Sequence, residues 1–393
     1  MIDLDRAATA PVREEVLAAM WPFLAGDGGN PSSRHERGRR AADALEWARY
    51  EIATALGAKS GDVVLTSGAT EADNLAVRGI ALANPRGRRL LVAPTEHPAV
   101  LEAARALVRL HGFRLDLLRV DGNGLVNPRE LAEAVDDDVA LVAVALASSE
   151  IGTLQPMAEI TAVAHAAGAP VHCDAVQAVG QVPLDVRAIG LDSVSIAGHK
   201  IGAPVGVGAL IARPSLPIEP LHAGGRQESS RRAGTENVAS AVGLAVALQL
   251  SVGDGKDGDG IAERATRLAA RRNALRDRIE AGVDGLRVVG HPELRLPGHL
   301  AWCVDGVESE PLLLRLDERG VLVSSGTACG EDSDEVSEAL LACGISAELA
   351  RGAIRLSFDD RTPPDDLDRA ADVFIDAVGA LRALGRSMPG SAP

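Results

Sequence analysis

Residues 195–213 read SIAGHKIGAPVGVGALIAR, a run of small and apolar residues that contains a single lysine, Lys200. Burying an unpaired ammonium group is costly, so a lysine in such surroundings needs a chemical reason. The segments SVSIAG and GVGALIAR on either side of it have the length and composition of buried strands. The stretch therefore predicts a functional lysine in a strand–loop segment of a buried sheet.

Apolar strand patterns alternate with helical patterns on the N-terminal side of this stretch. A long helix is predicted over residues 33–56, where apolar residues recur at three- and four-residue spacing. The strands DVVLTSG, RLLVAP, VALVAVALA and PVHCDAV then alternate with the helices ATEADNLAVRGIAL, AVLEAARALVRL and MAEITAVAHAAG. This alternation predicts an α/β fold with a mostly parallel sheet that is covered by helices on both faces.

A segment rich in Gly and Asp, SVGDGKDGDG at residues 251–260, is the best candidate for a linker. A strong helical pattern follows it, and strands and helices are then mixed. We therefore expect a large α/β domain over residues 13–255 and a smaller C-terminal α+β domain over residues 261–385. Residues 1–12 are expected to pack near the smaller domain.

The composition limits the class of protein. The 393 residues include 40 Lys plus Arg and 55 Asp plus Glu, and the net charge of −15 argues against direct nucleic-acid binding. The apolar run VALVAVALA is too short to span a bilayer, and the first residues lack the pattern of a signal peptide, so we expect a cytoplasmic protein without membrane contact. No CxxC pair occurs, and the cysteine spacings suit neither a disulfide scaffold nor a zinc site, so no metal is expected.

Two motifs before Lys200 suggest ligand contacts. In TSGATEADN, residues 66–74, Ala69 and Thr70 stand where a helix N-terminus can bind a phosphate, although an ordinary capped turn explains this motif equally well. Asp174 ends an apolar strand, where α/β folds place ligand groups, and a protonated pyridine nitrogen would be its cationic partner. Gln177 could donate to a hydroxyl on the same ring. Taken alone, Asp174 fits a helix cap better.

Lys200 completes a set of three contacts. It is flanked by His199 and Ser195, and burial would lower its pKa and so activate the amine toward an aldehyde cofactor. A phosphate site, an aspartate for a pyridine nitrogen and a lysine for an aldehyde are what pyridoxal 5′-phosphate requires. Their order and spacing are more specific than any one of them.

The chain also resembles, nearly end to end, a cysteine desulfurase of the pyridoxal-phosphate-dependent, fold-type I, class V aminotransferase superfamily. The resemblance rests on motifs that follow in the family's order: LDRAATAPV, GNPSSRHERGRRA, TSGATEADNLAVRG, EHPAV, EIGTLQP, CDAVQAVGQVPLDV, SIAGHK, RRAGTEN, SSGTAC and ELARGAIRLSF. It implies the fold-type I architecture, pyridoxal phosphate as cofactor, and L-cysteine as substrate.

The resemblance assigns a role to each matching residue. His97 would stack on the pyridine ring and move protons, Arg355 would bind the substrate carboxylate, and Thr235 would reach the phosphate of the other subunit, which implies a homodimer. The remaining cofactor contacts that it implies, besides the Lys200 amine, are Asp174 with the ring nitrogen, Gln177 with the ring hydroxyl, and Thr70, Ser195 and His199 with the phosphate; Ala69 is expected there from the helix N-terminus alone.

Cys329 lies in VSSGTACGEDSDE, which reads as an exposed loop. An exposed cysteine in a cytosolic protein is unusual unless its reactivity is used. The resemblance implies that its thiol takes the substrate sulfur as a persulfide and passes it to a sulfur-acceptor protein. The other three cysteines, Cys173, Cys303 and Cys343, are expected to be structural.

Several positions depart from the family pattern. Ser148 and Ser149 stand where two asparagines are usual, and the second of these touches both cofactor and substrate in the family. Arg6 and Val205 replace other usual residues. The alternatives to a cysteine desulfurase are a related enzyme redirected to another amino acid, and a non-catalytic sulfur-relay or scaffold subunit. Iron–sulfur assembly, tRNA or DNA thiolation and thio-metabolite synthesis all stay open as pathways.

Overall fold

A computed structural model describes residues 1–26, 28–84, 86–253, 260–326 and 336–387. The strands in these ranges are β1 (Ile2–Asp3), β2 (Val63–Thr66), β3 (Arg89–Val92), β4 (Arg114–Leu117), β5 (Val139–Ala143), β6 (Val171–Asp174), β7 (Ser193–Ala197), β8 (Gly208–Ala212), β9 (Leu286–Val288), β10 (His299–Val304), β11 (Val321–Leu322), β12 (Ser324–Ser325) and β13 (Ala353–Ser357).

The same ranges contain helices of four to 24 residues. They are α1 (Glu14–Ala25), α2 (Glu36–Ala55), α3 (Ala69–Ala83), α4 (Pro98–His111), α5 (Pro128–Ala134), α6 (Met157–Ala166), α7 (Val186–Ile189), α8 (Val238–Val252), α9 (Ile261–Gly282), α10 (Ser309–Glu318), α11 (Glu338–Ala342), α12 (Ala347–Ala350) and α13 (Pro364–Ser387). None of the described helices is both long and apolar enough to cross a membrane.

The main sheet has seven strands in the order β2-β8-β7-β6-β5-β3-β4. Strands β3 to β7 run parallel to one another, and β8 runs antiparallel to both β2 and β7. Separate apolar clusters contain α2 with α8 and α3 with α4, and both clusters include residues of the sheet. The prediction of a mostly parallel α/β sheet covered on both faces is therefore confirmed.

The parallel strands bring their carboxyl ends to one edge of the sheet. Strand β6 ends at Asp174 and β7 leads directly into a single 3₁₀ turn at Gly198–Lys200. Strand β3 is followed after four residues by His97, which caps α4. Residues that are far apart in the sequence therefore meet at this edge.

A second sheet follows in the chain, with the order β12-β13-β10-β9 and antiparallel pairing throughout. Its core contains Trp302, Phe358 and Phe374, and Ile2 and Leu4 pack into the same cluster. Strand β1 pairs with β11. The domain boundaries stay a prediction, and residues 254–259 of the expected linker lie outside the described residues.

Candidate active site

A cavity of about 700 Å³ opens at the carboxyl edge of the main sheet, where β13 of the second sheet approaches it. Most of the residues singled out from the sequence line it, namely Ala69, Thr70, His97, Ser149, Asp174, Gln177, His199, Lys200 and Arg355. Ser195 and Thr235 do not line it, and Cys329 lies outside the described residues.

Asp174 is almost completely buried at the end of β6. Its Oδ1 accepts a hydrogen bond of 2.8 Å from the amide of Val176. Burial, and next the charge of Asp73, raise the pKa of Asp174 to about 7. A cation placed against this carboxyl group would favour its ionised form, so the position fits the protonated nitrogen of a pyridine ring.

A polar layer that the sequence reasoning missed lies beneath Asp174. His172, two residues earlier in β6, places Nε2 3.2 Å from Asp73 Oδ1 and Nδ1 3.0 Å from Ser193 Oγ. All three side chains are buried, and burial lowers the pKa of His172 to about 4, so its ring is neutral. The period of two along VHCD is the signal that places His172 on the same face as Asp174.

Glu96, directly before His97, also lines the cavity and was not singled out from the sequence. Its Oε1 accepts a hydrogen bond from the amide of Ala145. Among the described residues Oε2 has no hydrogen-bond partner. Burial, and next the charge of Asp174, raise the pKa of Glu96 well above its usual value, which favours its protonated form.

Lys200 projects from the 3₁₀ turn toward the N-terminal segment. Its Nζ donates to the carbonyl oxygens of Ala7 at 2.5 Å and Ala8 at 2.8 Å. The ring of His199 is 3.3 Å from Thr9 Oγ1. Burial and then the charge of Lys200 lower the pKa of His199 to about 4. The neutral imidazole keeps the lysine side of the cavity free of a second positive charge.

His97 is held by its position as the N-cap of α4. Its Nδ1 accepts from the amide of Ala99 at 3.1 Å, so the neutral ring carries its proton on Nε2. Burial, followed by the charge of Lys200, lowers the pKa of His97, which favours this neutral form. The ring can therefore present an N–H donor to a ligand in the cavity.

The turn between β2 and α3 has the backbone that a phosphate needs. Gly68 has φ +153°, and a Cβ on Gly208 would come within 2.8 Å of Gly68, so the two glycines permit a close approach of the backbone. Helix α3 begins at Ala69, and its first amide groups have no intrahelical acceptor. With Thr70 beside them, these groups can bind an anion.

Glu71 ties this turn to the segment RRAGTEN. Its Oε2 accepts from the amide of Ser67 at 2.6 Å, and its Oε1 accepts from Arg232 Nε at 2.8 Å. Burial raises the pKa of Glu71, but the bonds from Arg232 and Ser67 outweigh it and lower the pKa overall. Thr235, three residues after Arg232, is exposed and away from the cavity of its own chain.

The structure places Ser195 away from the cavity, although the sequence predicts that it contacts the phosphate. Ser195 is fully buried in the middle of β7, paired with Leu210 of β8. Strand residues two apart share a face, and only Ala197, at the carboxyl end of β7, reaches the cavity. Ser195 lies on the same face of β7 as Ala197, but two residues farther from the carboxyl end of the strand. Ala197, which does line the cavity, has no hydroxyl group to offer a phosphate.

The opposite wall of the cavity is formed around Arg355 of β13. The guanidinium is 3% exposed, and its Nη2 donates to Asp5 Oδ1 at 2.7 Å. Its Nη1 donates to the carbonyl of Ser149 at 3.4 Å, and His299 Nε2 donates to the same carbonyl at 2.8 Å. The sequence reasoning missed both Asp5 and His299, because neither is near Arg355 or Ser149 in the sequence.

Two of the departures from the family pattern lie away from the centre of the cavity. Arg6 pairs with Asp3 at 2.8 Å and approaches Asp359 at 3.8 Å, and it does not line the cavity. Val205 lines the rim and is 80% exposed. Ser148 and Ser149, in contrast, lie in the wall itself.

Comparison with known proteins gives a consistent result. The model of the family described as aminotransferase class-V matches residues 2–370. The IscS-like cysteine desulfurase of Mycobacterium tuberculosis is 41% identical over 401 aligned residues, which cover 100% of both chains. Cysteine desulfurase IscS of Methanosarcina thermophila is 40% identical over 98% of this chain and 94% of its own.

Solved structures agree. A NifS-like protein superposes with a TM-score of 0.88 at 31% identity, covering 96% of this chain and 99% of its own. DndA from Streptomyces lividans superposes with a TM-score of 0.73 at 32% identity, covering 91% and 99%. The match extends over both sheets and over the cavity between them, and the chain belongs to the cysteine desulfurase family of pyridoxal-phosphate enzymes within the class-V aminotransferases.

Proposed function

We propose that this protein is a pyridoxal-phosphate-dependent cysteine desulfurase that converts L-cysteine to L-alanine and carries the sulfur as a persulfide on Cys329. The observation that supports it best is the single cavity in which Lys200 and Asp174 face the wall that carries Arg355. One side thus offers the groups that a pyridoxal cofactor needs, and the other offers a site for an amino-acid carboxylate.

The cofactor-side residues divide into three contacts. Asp174 would hold the pyridine nitrogen and Gln177 the ring hydroxyl, while the Lys200 amine would bind the aldehyde carbon. The phosphate would lie at the start of α3 against Ala69, Thr70 and His199. When bound, pyridoxal phosphate supplies an electron sink that acidifies the Cα–H bond of an amino acid.

The chain's own side chains handle protons and orientation. Lys200 would act as the base that takes the proton from the substrate Cα, and His97 holds a proton on Nε2 at the cavity wall. Arg355 would bind the substrate carboxylate through guanidinium N–H groups, and Ser149, whose carbonyl contacts Arg355, lines the same cavity.

Sulfur transfer completes the reaction. The Cys329 thiolate attacks the substrate sulfur, the S–S bond forms as the C–S bond breaks, and the electron pair left on carbon is protonated. L-cysteine and the Cys329 thiol thus become L-alanine and a Cys329 persulfide, without an external oxidant or reductant. The other three cysteines are buried, which is unfavourable for attack: burial raises the pKa of Cys173 well above its usual value and the pKa of Cys303 and Cys343 to about 11.

The same proposal includes a homodimer in the cytoplasm that delivers sulfur to an acceptor protein. Helix α1 supports the dimer, because Leu17, Trp21 and Leu24 recur at helical spacing and are each more than half exposed. Thr235 is exposed on the segment that Arg232 ties to the phosphate turn, where a second subunit would bring it to its neighbour's phosphate.

The alternative is an enzyme of this fold redirected to another amino acid by Ser148 and Ser149. The relatives described above carry the name cysteine desulfurase, and Arg355 and Cys329 are both retained, so the alternative is less well supported. A non-catalytic scaffold would have no need of Lys200 and Asp174 in one cavity.

Replacing Cys329 with Ser tests the proposal. Cofactor absorbance and its response to added L-cysteine should be unchanged, while persulfide and sulfide formation should be lost. Cys343→Ala is the matched control, since Cys343 is buried away from the cavity and its loss should leave sulfur release intact. Sulfur release by Cys329→Ser at the native rate would show that another nucleophile acts.

A further inference from the structure

Asp5 contacts the arginine that the proposed function assigns to the substrate. Its Oδ1 is 2.7 Å from Arg355 Nη2, and Asp5 itself lines the cavity. We propose that Asp5 is a built-in counter-ion that competes with the α-carboxylate of substrate and product for Arg355. This inference rests on the proposed function, because it takes Arg355 as the carboxylate site.

The guanidinium of Arg355 has few other partners. It is 3% exposed, its Nη1 makes a bond of 3.4 Å to the Ser149 carbonyl, and among the described residues its Nε has no hydrogen-bond partner. A buried cation without an anion is strongly unfavourable, so Asp5 supplies the charge that this site lacks when no substrate is bound. Arg355 also lines the cavity, so a second carboxylate bound there would lie beside its guanidinium.

Asp5 is fixed in place by the backbone on both sides of it. Its own amide donates to Asp3 Oδ1 at 3.0 Å, and the amide of Ala7 donates to Ser357 Oγ at 2.8 Å. The carbonyl of Leu4 accepts from the amide of Ser357 at 2.7 Å. Ser357 belongs to the same strand as Arg355, so the two charges are held by adjacent segments.

A fixed counter-ion at Arg355 reduces the binding free energy that a ligand carboxylate gains there. In the native protein the substrate carboxylate meets a guanidinium whose charge is already offset, and it must lie near a second negative charge. Replacing Asp5 with Asn keeps an oxygen acceptor for Nη2 and removes the negative charge. In this variant the bond from Arg355 to residue 5 loses its anionic acceptor, and such charge-assisted bonds are roughly twice as strong as neutral ones. A ligand carboxylate then meets weaker competition for Arg355, so we expect its affinity to rise about tenfold.

The test is a ligand titration of the holoenzyme that needs no sulfur chemistry. L-alanine, the product, is titrated while the cofactor absorbance is followed, and ethylamine serves as the matched amine without a carboxylate. Asp5→Asn should lower the Kd of L-alanine about tenfold and leave that of ethylamine unchanged. Asp359→Asn is the control, because Asp359 pairs with Arg6 and Arg361 and does not line the cavity.

Asp5→Ser removes the same charge with a smaller side chain and must shift L-alanine binding in the same direction. Unchanged or weaker L-alanine binding in both variants, or an equal change for ethylamine, would overturn the proposal. L-alanine binding can be measured even if the native protein shows no desulfurase activity. The titration therefore distinguishes failure of this inference from failure of the proposed function.

Discussion

The two walls of the cavity handle charge in opposite ways. The wall proposed to hold the cofactor, here called the cofactor wall, carries Asp174, Glu96 and Lys200. Burial is the main cause that raises the pKa of Asp174 to about 7 and the pKa of Glu96 well above its usual value. The opposite wall, here called the substrate wall, carries Arg355, Asp5 and Ser149. There the buried charge of Arg355 already has a partner, Asp5, at 2.7 Å. The buried carboxyl groups of the first wall favour a further cation in addition to Lys200, whereas the charge on the second wall is neutralised by the protein itself.

This difference indicates how tightly each ligand should be held. A cofactor that brings a positive ring nitrogen relieves the cost of the buried carboxyl group, so binding and stability are coupled on that wall. The substrate carboxylate gains less binding free energy from Arg355, because that arginine is already paired with Asp5. One wall is therefore suited to retaining its ligand and the other to releasing it.

The largest expected effect comes from Lys200. Lys200→Ala should reduce alanine formation from L-cysteine by a factor of about 10²–10⁴, because the base at the substrate Cα is lost. Asp174 and the start of α3 are untouched, so cofactor binding should weaken without disappearing. Turnover is measured by alanine release under saturating L-cysteine.

The chain offers a sharp control for this prediction. Its lysines are Lys59, Lys200 and Lys256, so a label on lysine has few possible sites. Borohydride treatment of the native holoenzyme should fix the cofactor on the peptide containing Lys200, and Lys59→Ala should behave like the native protein. Cofactor fixed on Lys59 or Lys256 would show that Lys200 is not the lysine that binds the cofactor.

The next effect concerns the pH dependence of stability. The pKa of Asp174 and that of Asp73 are both raised to about 7 by burial, so in the absence of a cation the folded state binds more protons than the unfolded state between about pH 4 and 7. Stability is highest below this range and is lost as the pH rises through 7. Each unit of pKa shift corresponds to about 1.4 kcal/mol, so the loss should reach several kcal/mol.

Urea unfolding of cofactor-free protein at pH 5 and pH 8 measures this loss. The holoenzyme should show a smaller drop, since the pyridine nitrogen offsets the charge of Asp174. Asp174→Asn should also reduce the drop in the cofactor-free protein, leaving the share due to Asp73. Equal pH dependence of the free energy of unfolding in all three proteins would show that the cofactor wall is not short of a cation.

The smallest effect is expected at Ser149 on the substrate wall. Its carbonyl is fixed by His299 and Arg355, so the side chain can change without moving the backbone. A serine offers one hydroxyl donor, and a missing hydrogen bond to a charged group costs about 1.5–3 kcal/mol. Ser149→Asn should therefore raise cysteine turnover by roughly ten- to a hundredfold, with cofactor binding nearly unchanged.

Ser149→Thr is the matched control, because it adds bulk without an amide group and should not raise turnover. If Ser149→Asn lowers turnover of L-cysteine, or if the native protein prefers another amino acid, the enzyme is a redirected one rather than a slow desulfurase.

The cofactor wall was largely predictable from the sequence. Asp174, Gln177 and Lys200 each stand at or just after the carboxyl end of an apolar strand, and parallel strands bring those ends together. The alternation of strands and helices that predicts this sheet is confirmed. Ser195 shows the limit, because a strand pattern gives the face of the sheet but not the depth at which its cavity begins.

The substrate wall could not be predicted in the same way. Asp5 and Arg355 are 350 residues apart, and their contact depends on how the N-terminal segment lies beside β13. His299, at the start of β10, reaches Ser149 in the loop that follows β5. Such contacts follow from tertiary packing, and no local periodicity signals them.

The central claim is that this cavity removes sulfur from L-cysteine and passes it to Cys329. Its most direct test is an incubation of native holoenzyme with less than one equivalent of L-cysteine, with alanine quantified and the peptide containing Cys329 analysed by mass spectrometry. Because each enzyme then turns over at most once, we expect equal amounts of alanine and of Cys329 peptide heavier by one sulfur atom, with none on Cys173, Cys303 or Cys343. Alanine without added sulfur on Cys329, or no alanine from L-cysteine at all, would contradict it.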